Sequence, residues 1–112
     1  MKMTDETRGD IAIIKLKGKV MGGPDATMFH GKLHEFVNGG QKKIVIDLSK
    51  VEWMSSVGLG MLISALTTMK NAGGQLMLAN VTEGIQNLLT ITRLVTIFKA
   101  MDSIDEAIAA FE

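Results

Sequence analysis

The sequence predicts a single α/β domain spanning residues 1–112, built of successive strand-helix units with a mainly parallel sheet and one extra strand at the N-terminus. Three observations carry this prediction. Short β-branched runs such as KKIVIDL (42–48) alternate with stretches whose apolar residues recur every three or four positions. Glycine pairs at 22–23, 39–40 and 73–74 punctuate the alternation. A chain of 112 residues can also bury one core but not two.

The elements follow in order. An additional strand is expected near Met3 to Thr7. In IAIIKLKGKV (11–20), Ala12, Ile14, Leu16 and Val20 fall on one side, and Lys15, Lys17 and Lys19 on the other. That period of two predicts a half-exposed strand whose lysines form a solvated face in preference to an anion-binding stripe. A Gly22-Gly23-Pro24 turn leads to a helix carrying Phe29, Leu33, Phe36 and Val37, stopped by Gly39 and Gly40. KKIVIDL reads as the central strand, buried on both faces, with SKVEWM as a connector. A second helix presents Leu59, Leu62, Ile63, Leu66 and Met69 and stops at Asn71-Ala72-Gly73-Gly74. QLMLANV (75–81) is the next strand, and Asn80 with Glu83 suggests a capping box for a third helix bearing Ile85, Leu88 and Leu89. A short strand is expected at Val95 to Phe98. Ser103 and Glu106 then cap a closing helix with Ile104, Ala107, Ile108 and Phe111 at i, i+3, i+4, i+7.

Composition excludes several functions. Twelve Lys and Arg balance twelve Asp and Glu, so no global field attracts nucleic acid or an anionic membrane. One Trp, four Phe and no Tyr leave few platforms for stacking bases. The absence of cysteine removes disulfides and thiolate chemistry and fits a cytoplasmic protein. MKMTDETRGD is too polar for a signal peptide, and no apolar run approaches a membrane span. The nine methionines are expected mostly in the core.

The distinctive stretch is WMSSVGLGML (53–62), placed after the central strand, where open α/β sheets keep their functional loops. It lacks the first glycine of a Gly-x-Ser-x-Gly elbow, and the two histidines, His30 and His34, have no acid set to orient them as a base. Those histidines are spaced i, i+4 without the intervening Glu or a third ligand, so no metal site is expected. Ile63 stands where the third glycine of a dinucleotide loop belongs, and no cofactor is expected. No catalytic residue is identified. What remains is a helix start at which Ser55 or Ser56 could act as the cap, and whose N–H groups would equally suit a phosphoserine. Gly58 and Gly60 leave backbone open there, for internal packing or for the approach of a partner, and Val57 and Met61 add an apolar ridge off the core stripe.

The run IVIDLSKVEWMSSVGLGMLISAL, with GGQLMLANV and LLTITRLVTIF after it, resembles a STAS domain of the anti-sigma factor antagonist type over nearly the whole chain. Alignment on Gly58-Leu59-Gly60 puts that family's phosphate acceptor at Ser56. The resemblance implies binding to an anti-sigma factor that is also a serine kinase, release on phosphorylation, and restoration by a PP2C-type phosphatase. The implied contact residues are Met21, Gly22, Ser55, Val57, Gly58, Gly60 and Met61. Two positions depart from the family's habit: Ser55 stands where Asp or Asn is usual, and Met21 where many members are acidic. These departures keep open a non-switching interaction subunit, in a sensory assembly or a lipid-transport complex.

Overall fold

The computed structural model of the chain describes residues 1–111. Strands β1 (Lys2–Arg8) and β2 (Ile11–Val20) form an antiparallel hairpin turned at Gly9, whose φ of 61° disfavours a side chain. β3 (Lys43–Met54), β4 (Gln75–Ala79) and β5 (Lys99–Met101) continue the sheet in the order β1-β2-β3-β4-β5, each parallel to its neighbour. Each parallel crossover carries a helix: α1 (Pro24–Asn38), α2 (Ser56–Asn71) and α3 (Glu83–Ile91), with α4 (Ile104–Ala110) closing the chain after β5.

Where the chain length predicts one core, the sheet divides the buried residues into two clusters, one on each of its faces. On one face Ala12, Ile14, Leu16, Ile44, Ile46, Leu48, Leu76 and Leu78 meet buried residues of α1, α2 and α3, among them Phe29, Leu33, Leu62, Met69 and Leu89. On the other, Ile11, Ile13, Val45, Met77 and Ala79 pack under α4 through Ala107, with Ile104, Ile108 and Phe111 around it. α4 covers only part of that second face. β2 is therefore buried on both sides as far as Ile14 and half-exposed only beyond it, where the expected lysine face begins.

Three elements differ from the sequence expectation. SKVEWM is not a connector but the second half of β3, which runs 12 residues. Its core residues are Ile44, Ile46, Leu48, Val51 and Met54, and two register shifts against β2 turn the spacing from two to three. The third helix is capped by Thr82, not by Asn80. Asn80 takes a left-handed φ of 56° and donates from Nδ2 to the Asp47 carboxylate at 2.8 Å. Asp47, the one buried charged side chain among the described residues, also accepts the Ser49 amide and hydroxyl, each at 3.1 Å. Val95 to Phe98 is not a strand: Arg93 enters the left-handed region, Leu94–Thr96 form a 3₁₀ turn, and β5 starts only at Lys99. Val95 and Ile97 are exposed there, so their β-branched character reflects no sheet packing.

Candidate functional site

The site forms where β2 and β3 end side by side and α2 begins. Val20 pairs with Met54 at the last rung of the sheet, and the Ser55 amide donates to the Val20 carbonyl at 3.0 Å. Ser55 is the N-cap of α2, with extended backbone, and its hydroxyl oxygen accepts the Gly58 amide at 2.9 Å. The same hydroxyl donates to the Met21 carbonyl at 3.2 Å. One side chain thus caps the helix and ties it to the loop after β2.

Ser56 occupies the first helical position and is exposed. Its hydroxyl has no hydrogen-bond partner among the described residues, and no acidic residue lies in the first turn of α2. The positive end of the helix dipole is therefore not offset by a carboxylate on this turn.

The two glycines of the motif do different work. A Cβ on Gly58 would overlap the Val20 carbonyl, so this glycine lets α2 sit directly on the end of β2. A Cβ on Gly60 would meet nothing within 4 Å, and the residue is partly exposed. Gly22, with φ of 92°, lies under Val57, whose side chain a Cβ at position 22 would strike. Val57 is in turn 61% exposed and Met21 51%.

The sequence pattern of the STAS domain family matches residues 2–107. The chain belongs to the STAS domain family. A candidate anti-sigma factor antagonist of Thermotoga neapolitana is 38% identical over 74 residues, a match that spans 66% of this chain and 66% of that protein, just under two thirds of its length. The crystal structure of a candidate anti-sigma factor antagonist from Thermotoga maritima superposes with a TM-score of 0.87 at 27% identity, covering 96% of this chain and 92% of that one. The Bacillus cell fate determinant SpoIIAA, in its phosphorylated form, shares the fold with a TM-score of 0.77 at 16% identity, covering 99% and 100% of the two chains.

The STAS fold brings Met21, Gly22, Ser55, Ser56, Val57 and Gly58 together through the contacts described, with Gly60 one helical turn on from Ser56. Met61 does not join that surface. It is only 3% exposed and belongs to the larger core, because the α2 positions facing the sheet and α1 include 61 as well as 58, 62 and 65.

One surface residue was missed by sequence reasoning. Trp53 is half exposed, lies opposite Lys19 in the β2–β3 register, and borders a small cleft of about 130 Å³ between the end of β3 and the start of α3. A tryptophan three residues before the candidate acceptor Ser56 was itself a signal, since large aromatics anchor protein interfaces.

His30 and His34 lie on α1, and burial together with the like charge of His34 lowers the His30 pKa below the ordinary 6.5. Among the described residues no group of three or more His, Asp or Glu is placed to hold a metal. No helix among them is long and apolar enough to cross a membrane.

Proposed function

We propose that this STAS domain is an anti-sigma factor antagonist, a binding module whose contact surface is switched by phosphorylation of Ser56. The observation that carries the reading is the division of labour between adjacent serines. The Ser55 hydroxyl is engaged on both sides, whereas the Ser56 hydroxyl is exposed and unengaged at a helix N-terminus. A kinase can reach the Ser56 oxygen without breaking a cap. Support also comes from relatives: similar chains are named as candidate anti-sigma factor antagonists, and a protein of the same fold is described in a phosphorylated form.

The physics of the switch is local. Met21 and Val57 expose apolar surface at the start of α2, where Ser56 stands, and Gly60 has room beside its backbone for a partner's main chain. In the unmodified state such a face can be desolvated against a partner. Transfer of the γ-phosphoryl group of ATP to Ser56 Oγ, with loss of the hydroxyl proton and departure of ADP, would add about −1.5 to −2 charges at its centre. The helix N-terminus tolerates that charge, but burying it without cations on the partner opposes binding. Hydrolysis by a PP2C-type phosphatase would return the binding form. ATP-dependent switching of this kind belongs to the cytoplasm.

Ser55 in place of the usual Asp or Asn fits this function, because Ser, Asp and Asn are near-equivalent N-caps. Serine can in addition donate, as it does to the Met21 carbonyl. Met21 itself replaces charge with exposed apolar surface, and this favours a partner with an apolar rather than a basic contact at that point.

The experiment is a pull-down and labelling assay with the cognate serine kinase. Ser56→Asp is expected to weaken binding, while Ser56→Ala retains binding and takes no label. Unchanged binding by the Asp form together with full labelling of the Ala form would overturn the proposal. The exposed Met21 keeps one alternative alive, a constitutive STAS interaction subunit of a sensory assembly or lipid-transport complex using the same face. Phosphate found on Ser56 in protein from its native cell would remove that alternative.

A further inference from the structure

The second face of the sheet carries a lysine row that the Ser56 surface does not use. In the strand register Lys2 of β1 lies opposite Lys17 of β2, and Lys17 lies opposite Lys50 of β3. Three ammonium-bearing side chains therefore cross three neighbouring strands, a row of roughly 10 Å at the usual strand spacing. The rung beside it is Thr4, Lys15 and Asp47. A register shift between these two rungs inserts one extra residue of β3 between Asp47 and Lys50, and without it Lys50 would fall out of line with Lys17.

Like charges set directly opposite across strands destabilise a sheet, and this row has no acid of its own to offset them. Lys15 is paired, at 3.0 Å, with Glu6. Lys2, Lys17 and Lys50 make no ion pair among the described residues, and all three are exposed. The three lysines line a depression of about 390 Å³ on the part of the sheet that α4 leaves open, together with Thr4, Lys15, Leu16, Ser49 and Asp47, whose carboxylate is engaged by Asn80 and Ser49. That volume lies within the range of small-molecule sites.

We infer that this depression binds a small multivalent anion of the oligophosphate class, held by Lys2, Lys17 and Lys50 as point charges, with the Thr4 hydroxyl at its side. Lysine suits this ligand because its ammonium groups can each take a different phosphate oxygen without a fixed fork geometry. The island is small: Glu6, on the same face of β1 and paired with Lys15, and Asp10, in the hairpin turn and paired with Lys43, lie beyond the row, and the whole chain is neutral. An extended acidic partner would meet those carboxylates beyond the row, whereas a ligand confined to the depression would not. The inference does not depend on the Ser56 switch, since neither residue set overlaps the other.

The test is a titration of the full chain with inorganic tripolyphosphate at low ionic strength, followed by amide chemical shifts and calorimetry. Saturable binding is expected, with shifts centred on Lys2, Thr4, Lys17, Ser49 and Lys50, and with affinity falling as salt is added. Lys17→Gln and Lys50→Gln should each weaken it by up to about fivefold, the scale of one exposed charge pair, while Lys99→Gln on β5 should not. Shift mapping on the unmutated chain keeps the test independent of how the variants fold. Non-saturating binding, shifts spread over all surface lysines, or equal loss in the Lys99→Gln control would overturn the inference. Capture of a polyglutamate peptide without any response to tripolyphosphate would also overturn it and assign the row to an acidic protein segment.

Discussion

Two adjacent serines acquire different chemistry from a single step of backbone geometry. Ser55 sits just outside α2, where an extended residue can turn its hydroxyl back onto the Gly58 amide; Ser56, one residue on, points away from that amide and into solvent. Ser55→Ala is expected to lower the unfolding free energy by about 1 kcal/mol, the usual worth of a cap, and Ser56→Ala to change it by less than about 0.5 kcal/mol. Denaturant titration reads both, and equal effects would undo the assignment. The glycines separate in the same way. Gly58→Ala forces a methyl group against the Val20 carbonyl and should cost roughly 1–3 kcal/mol as the junction of α2 and β2 shifts. Gly60→Ala meets open space, so its higher helix propensity should stabilise the free protein by about 0.5–1 kcal/mol. A partner that approaches the Gly60 backbone would lose affinity to that variant despite its greater stability.

At the level of elements, β3 shows what a single chain can disclose and what it hides. Ile44, Ile46 and Leu48 keep the period of two, and that half of the strand is legible. Val51 and Met54 follow at intervals of three, because two register shifts each insert a residue, and SKVEWM then matches no strand template. The partner strand dictates those shifts, so no local pattern could announce them, and the exposure of Trp53 was hidden with them. Ser103, by contrast, caps α4 as its spacing foretold, accepting the Glu106 amide while Glu106 reaches back to the Asp102 amide. Asn80 was misassigned for a tertiary reason: its partner is Asp47, 33 positions away in the chain. Asn80→Ala combines an unfavourable left-handed backbone with a lost bond to a buried carboxylate, for an expected cost of about 1–3 kcal/mol. Asn80→Gly loses only the bond and should cost less. Thermal unfolding of the pair isolates the backbone part, and the reverse order would mean that the left-handed conformation at position 80 carries no penalty for alanine.

Across the whole molecule, the switch proposed at Ser56 requires that charge alter binding without altering the fold. The architecture favours this separation. The sheet is clamped between two cores, and the Ser56 side chain belongs to neither. Its oxygen holds no bond whose loss could propagate into β2 or β3, while Ser55 keeps the loop and helix tied whether or not Ser56 is modified. Ser56→Asp should therefore stabilise the free protein, by about 0.3–1 kcal/mol, through the favourable meeting of a carboxylate with the N-terminus of α2. For a domain of this size that is a rise in Tm of roughly 1–6 °C. Amide exchange in Ile44–Leu48 and Leu76–Ala79 should be no faster than in the unmodified chain, with differences concentrated at 20–23 and 53–60. A variant that gains stability while losing its partner cannot owe that loss to misfolding. If Ser56→Asp instead lowers Tm or speeds exchange across the central strands, the phosphate would act by remodelling the domain, and the local-charge account of release would fail.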